Sequence, residues 1–96
     1  MVTFEQKESL LYGHFSGNLD TTFCNEHGAM IRERAVAADD VVIFDMGKVQ
    51  SVCSMFLGLC VLIHKKKGER FSVENCNEML LQIFRIARLD KIIRVS

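Results

Sequence analysis

The sequence predicts an α/β fold: a mixed, mostly parallel β-sheet of four to five strands with helices packed on it. Three observations lead there. Two alternating segments open the chain close enough together to form a hairpin. Beyond them, short extended runs alternate with stretches whose apolar residues fall at helical spacing, which is the pattern of parallel strands joined by helical crossovers. The run Val41-Val42-Ile43-Phe44 is apolar at every position, as suits a strand covered on both faces.

Val2–Gln6 places Val2, Phe4 and Gln6 on one face, and Ser9–Ser16 alternates Leu11, Gly13 and Phe15 against Tyr12 and His14. Gly17-Asn18 break this second strand. Asp20 or Thr21 can cap a first helix, predicted over Thr22–Ala35 from Phe23, His27, Met30, Ile31 and Arg34. Gly28 weakens it by roughly 1 kcal/mol relative to alanine. The strand Val41–Phe44 follows, then Met46-Gly47-Lys48 as a loop and Val49–Val52 as a short extended piece. From Ser54 the residues Phe56, Leu57, Cys60, Val61 and His64 predict a second helix, closed by Lys65-Lys66-Lys67 and stopped at Gly68. Arg70–Glu74 alternates as a strand. Asn75–Asn77 can cap a third helix with Met79, Leu80, Ile83, Phe84 and Ala87 as its stripe, and Ile92–Val95 is a last short strand after the turn at Asp90-Lys91. The order is ββαβαβαβ.

A chain of 96 residues has room for one domain, over 1–96, and one core. Twelve basic and twelve acidic side chains cancel, so no net field draws it to nucleic acid. The start MVTFEQKESLLYG lacks the basic and apolar regions of a signal peptide, and no apolar run nears the roughly 20 residues that span a bilayer. The expected location is cytoplasmic, with no membrane insertion. Cys24, Cys53, Cys60 and Cys76 show no paired-ligand spacing and read as free thiols, and His14, His27 and His64 stand apart, so no metal site is expected. No glycine-rich phosphate loop is present, which argues against nucleotide hydrolysis, and no cofactor is implied.

The segment carrying the chemistry is Val41–Leu62, where a buried strand hands over to a helix with Ser54 at the corner. Free backbone N–H groups and the positive end of a helix dipole suit an anion or a phosphoryl group there. Ser54 reads both as a phosphosite and as the N-cap of the second helix. Asp20 and Asp45 are expected at carboxyl ends of strands near Ser54, where open α/β sheets place their sites, or as plain caps. Cys53 stands where thiols become reactive, but no histidine lies within motif spacing to serve it as a base. The second helix has no polar face before His64, so Met55, Phe56 and Leu59 are read with Ser54 as a partner-binding surface.

Three local patterns resemble one family. Gly17-Asn18-Leu19-Asp20 is similar to the G-x-L-D that closes the second strand of STAS domains, the family of anti-sigma factor antagonists. Val42-Ile43-Phe44-Asp45, followed by Val52-Cys53-Ser54-Met55-Phe56-Leu57-Gly58, resembles its V-I-D-L…I-D-S-S-G-L-G block. Arg88-Leu89-Asp90-Lys91-Ile92-Ile93-Arg94-Val95 resembles the closing G-L-D-K-x-x-x-V, with Ala87-Arg88 near the usual glycine. The departures are Cys53 for the aspartate, Met55 for the second serine, which is the usual phosphate acceptor, and Phe56 for the next glycine. The V-D-S-F-I-G version, in stressosome scaffold members whose first serine is the acceptor, is closer and carries the role to Ser54 alone.

The resemblance implies a non-enzymatic, bacterial signalling phosphoprotein of transcription regulation. Its partner would be an anti-sigma factor or related serine kinase or phosphatase, with ATP and Mg²⁺ on the partner's side. Partner contacts would fall at Asp20, Asp45, Cys53, Ser54, Met55, Phe56 and Leu59. The alternative is a constitutive structural subunit, like the short STAS proteins that steady the ATPase of a lipid-transport ABC complex. The loss of the aspartate and the second serine favours it.

Overall fold

The computed structural model describes residues 1–96. The order is β1 (Val2–Lys7), β2 (Leu10–Leu19), α1 (Thr21–Ala37), β3 (Val41–Val52), α2 (Ser54–Lys67), β4 (Phe71–Glu74), α3 (Glu78–Ile86) and β5 (Arg94–Val95), with short 3₁₀ turns at Gly68–Arg70 and Leu89–Lys91. The predicted α/β fold is present as one five-stranded mixed sheet in the order β1-β2-β3-β4-β5. β1 runs antiparallel to β2 through the tight turn at Glu8-Ser9, and the remaining pairs are parallel.

Each parallel strand lies beside its predecessor, so right-handed crossovers place all three helices on one face. The core follows. Leu11, Phe15 and Leu19 of β2, Val42, Phe44, Met46 and Val49 of β3, and Phe71 and Val73 of β4 form one cluster with residues of every helix. At its centre Phe15, Phe44 and Phe56 meet with ring centroids 4.7 to 6.2 Å apart. Gly13 makes room for them: a Cβ there would lie 3.2 Å from Phe15 and 3.3 Å from Phe44.

The opposite face of the sheet carries no helix. Tyr12, Ile43 and Ser72 form one cross-strand row on it, and His14, Asp45 and Glu74 form the next. Ile43 therefore lies outside the core cluster, buried on the face that carries no helical layer. Four consecutive apolar residues did not mean burial between two layers.

β3 is continuous where a loop at Met46-Gly47-Lys48 was expected, and β2 runs through Gly17-Asn18 instead of ending there. Their pairing shifts register between His14 and Ser16 and again between Gly17 and Asn18. Such bulges absorb extra residues without ending a strand. Gly17 supplies the positive φ of 80° at the second shift.

After α3, Arg88 holds a left-handed conformation, φ 60°, ψ 21°, where the family pattern favours glycine. A side chain in this region is strained by about 1 kcal/mol or more, partly offset by the extra freedom glycine has when unfolded. Arg88→Gly is expected to stabilise the fold by several tenths to about 1 kcal/mol, read as a rise in the thermal midpoint. A fall would show that the guanidinium makes a compensating contact.

Candidate functional site

The ends of β2 and β3 and the starts of α1 and α2 meet at one corner. The Cys53 amide donates to the Leu19 carbonyl at 3.1 Å, tying the two strand ends together. Asp20 caps α1, its Oδ1 accepting from the Phe23 amide at 2.9 Å. The N-cap of α2 is Cys53, not Ser54; its thiol makes no cap bond, and its carbonyl accepts from the Phe56 and Leu57 amides. Ser54 is thus the first helical residue, exposed, at a helix start that no side chain caps. Such an end presents N–H groups and positive potential to an anion on Ser54.

The surface beside Ser54 differs from the expected one. Met55 points outward, 46 % exposed, whereas Phe56 is fully buried and Leu59 is 8 % exposed. The helix turns 100° per residue, so Phe56, Leu59, Cys60 and Ile63 share the core-facing side while Met55 and Leu62 share the outer one. Phe56 is a core residue with nothing to offer a partner. Leu59 contributes only to the floor of an open groove of about 620 Å³ between α1 and α2, with Met55, Gly58, Leu62, Gly28 and Arg32 among its walls. Gly28 and Gly58 each leave the space of a missing side chain, since a Cβ at either would touch nothing within 4 Å. A second hollow, shared through Arg32 and Leu62, extends the seam to Lys65 and Lys66.

The α1 side of this groove was missed in the sequence. Cys24, Gly28 and Arg32 recur at i, i+4 and i+8, so they share a helix face; that spacing was the available signal. Cys24 Sγ lies 3.8 Å from Cys53 Sγ, joining the first turn of α1 to the cap of α2.

Asp45 does not belong to the corner. β3 continues through Met46–Val52 before Ser54, roughly 20 Å of extended chain at about 3.3 Å per residue. No turn follows Asp45 for it to cap, because β3 runs on; its Oδ1 accepts from the Gly47 amide at 3.0 Å within the strand and from the Asn75 side-chain amide at 3.0 Å. It also faces His14 on the open side of the sheet. His14 Nδ1 lies 2.9 Å from Asp45 Oδ2 and Nε2 lies 2.9 Å from Glu5 Oε1, so both contacts are donated at once only by the protonated ring. The three groups stand in line and do not converge on a metal position.

The Glu5 carboxylate first, and Asp45 second, hold His14 above its ordinary value. The Asn75 amide chiefly holds Asp45 low, and His14 chiefly holds Glu5 low. The His14 contribution to stability is complete below about pH 6.5 and lost as pH rises through the higher folded value. The carboxylate contributions are complete above about pH 4.5 and lost as pH falls through the lower folded values. The expected result is an NMR titration midpoint for His14 above about 6.5 and a flattened pH–stability profile in His14→Gln. A midpoint at or below that value would show that the network does not persist in solution.

No protein-family model and no curated protein matches the sequence. Solved structures do match its fold. A Thermotoga maritima protein with the proposed role of anti-sigma factor antagonist superposes with a TM-score of 0.84 at 15 % identity, over 98 % of this chain and 84 % of that one. The Bacillus cell-fate determinant SpoIIAA in its phosphorylated form gives 0.68 at 14 %, over 100 % and 91 %. Unphosphorylated SpoIIAA, an anti-sigma factor antagonist, gives 0.67 at 14 %, over 90 % and 83 %. The chain has this SpoIIAA-like, STAS-like fold. No helix is long and apolar enough to cross a membrane.

Proposed function

We propose that this chain is a non-enzymatic regulatory module that binds a protein partner at the corner where α1 and α2 begin. The observation that carries the reading is the pair Ser54–Met55: an exposed hydroxyl on the first residue of an uncapped helix, next to an exposed apolar side chain at the mouth of an apolar groove. Met55, Leu62 and the glycine-lined walls receive an apolar element of the partner, and Asp20 and Cys53 stand beside Ser54 at the corner. A phosphate on Ser54 adds about −1.5 to −2 charges. The helix start accommodates that charge within the chain, but a partner seated on Met55 would have to bury it, so phosphorylation lowers affinity. The fold shared with SpoIIAA, a protein solved with and without phosphate, supports this reading. The partner is then a cytoplasmic anti-sigma factor or related serine kinase, which brings the ATP and Mg²⁺, and the output is regulation of transcription.

A second reading is favoured by Cys53 and Met55 themselves, which replace the acid and the usual acceptor of the family pattern. In it the same surface is a constitutive contact of a structural subunit, as in a lipid-transport ABC assembly. Protein purified from its native cell separates the two. Under the first, its intact mass is partly raised by about 80 Da, one phosphate, at Ser54, and a serine kinase co-purifies. Under the second, Ser54 is unmodified and an ABC ATPase co-purifies. An unmodified Ser54 with no kinase would remove the switch.

A further inference from the structure

We propose that Cys24 and Cys53 are a redox pair that closes into an intramolecular disulfide beside Ser54 when the cell meets a hydroperoxide. The two sulfurs lie 3.8 Å apart, in contact, on two elements that begin at the same corner. A disulfide needs about 2.05 Å, a gap that side-chain rotation and a small approach of the two helix starts can close. The two thiols differ in exposure. Cys53 is half-buried at the N-cap of α2 and its thiol is not engaged in capping that helix. Cys24 is buried in the first turn of α1, and burial, then the neighbouring Cys53 thiol, push it up to about 12, so it remains a neutral thiol that peroxide does not oxidise first, and it gives up its proton only as it displaces the hydroxyl from Cys53. Cys60 lies fully buried in the core and Cys76 is half-buried after β4; neither has a sulfur contact of this kind.

The reaction balances in two steps. The Cys53 sulfur attacks one oxygen of the hydroperoxide and the O–O bond breaks, leaving Cys53 as sulfenic acid and releasing water or an alcohol. The Cys24 sulfur then displaces the hydroxyl from Cys53 as a second water, forming the S–S bond. Two thiols lose two electrons and two protons, and the peroxide takes them. A cellular thiol reductant such as glutathione reverses the change, as befits a transient bond in a reducing compartment. The bond would staple the first turn of α1 to the cap of α2 and fix the groove mouth that carries Met55. That it thereby retunes partner binding rests on the function proposed above.

The reduced chain is exposed to hydrogen peroxide, with no partner present, and its mass and peptide map are read. The expected product is lighter by about 2 Da, the two thiol hydrogens, with a Cys24–Cys53 peptide link. After unfolding, alkylation labels only Cys60 and Cys76. The Cys24→Ser variant should stop at a sulfenic acid on Cys53 that dimedone traps, and Cys76→Ser should still close the bond. A Cys60–Cys76 link, a dimer joined between chains, Cys53 carried to sulfinic acid with Cys24 still free, or four unreacted thiols would each overturn the pair. Because the readout needs no partner, its failure leaves the partner-binding reading standing, and loss of partner binding leaves the disulfide standing.

Discussion

Replacing Phe56 by alanine is expected to lower stability by about 3–5 kcal/mol, with a fall in thermal midpoint well over 10 °C for a chain of this size. Phe56 has no exposed surface, and its ring meets Phe15 edge-on at 5.3 Å and Phe44 at 6.2 Å. Those rings join Phe71, whose centroid is 4.9 Å from Phe44, in a line from β2 to β4 beneath α2. Truncation removes the transfer energy of one aromatic ring and leaves a cavity that three other rings cannot collapse into without leaving their strands. The total stability of a small domain is typically about 5–15 kcal/mol, so the variant sits near unfolding at 37 °C. Met55→Ala, one residue earlier but on the outer face, is expected to cost no more than about 0.5 kcal/mol. Chemical denaturation of the two variants checks the contrast. Equal, small losses would mean that Phe56 is not packed as described and would return it to the partner surface.

That contrast also explains what could be read from the sequence. The alternation of strands and helices, the Asp20 cap and the Gly68 stop are local signals, written in spacing and in residue types with fixed backbone preferences. They placed the elements and hence the sheet. The side toward which an all-apolar helix turns is not local. In α2, Met55, Phe56, Leu57 and Leu59 are all apolar, so no polar stripe marks the outer face. The sheet above it decides, and the choice of Met55 over Phe56 was invisible until α2 was docked. The same limit applies to Val41–Phe44, whose apolar run has a helix layer on one side only.

Long-range pairing hid the rest. Asp45 looked like a strand end because Gly47 follows it, but the neighbouring β2 holds β3 extended through two bulges and carries Ser54 far from that carboxylate. His14 looked solitary because its two partners, Glu5 and Asp45, come from the strands on either side. Cys24 and Cys53 looked scattered for the same reason: α1 and β3 separate them in sequence while the corner brings their sulfurs together. The places of Ser54, Met55 and Asp20 were therefore legible, since each precedes or begins a helix. The candidate site was illegible wherever a second element supplies the neighbour.

The largest effect on binding is expected from Met55→Glu. Met55 is the exposed apolar side chain closest in sequence to Ser54, and with Leu62 it forms the outer wall of the α1–α2 groove. If a partner seats there, the new carboxylate is buried without a counter-charge, at a cost of about 2–4 kcal/mol or roughly 30- to 1,000-fold in Kd. The fold should be untouched, because the side chain leaves the core side of α2 unchanged and an acid in the first turn favours the helix dipole. Ser54→Asp tests the switch separately. It places one negative charge where a phosphate would place about two, so it should weaken the same contact by a smaller factor, and Ser54→Ala should bind like the wild type. Titration calorimetry with the co-purified partner, alongside circular dichroism of each variant, reads all three. Weakened binding in Met55→Glu with full affinity in Ser54→Asp would favour the constitutive subunit over the phosphoswitch. Full affinity in both variants would remove the corner as the contact surface, and the partner would then have to sit on the open face of the sheet or at an edge strand.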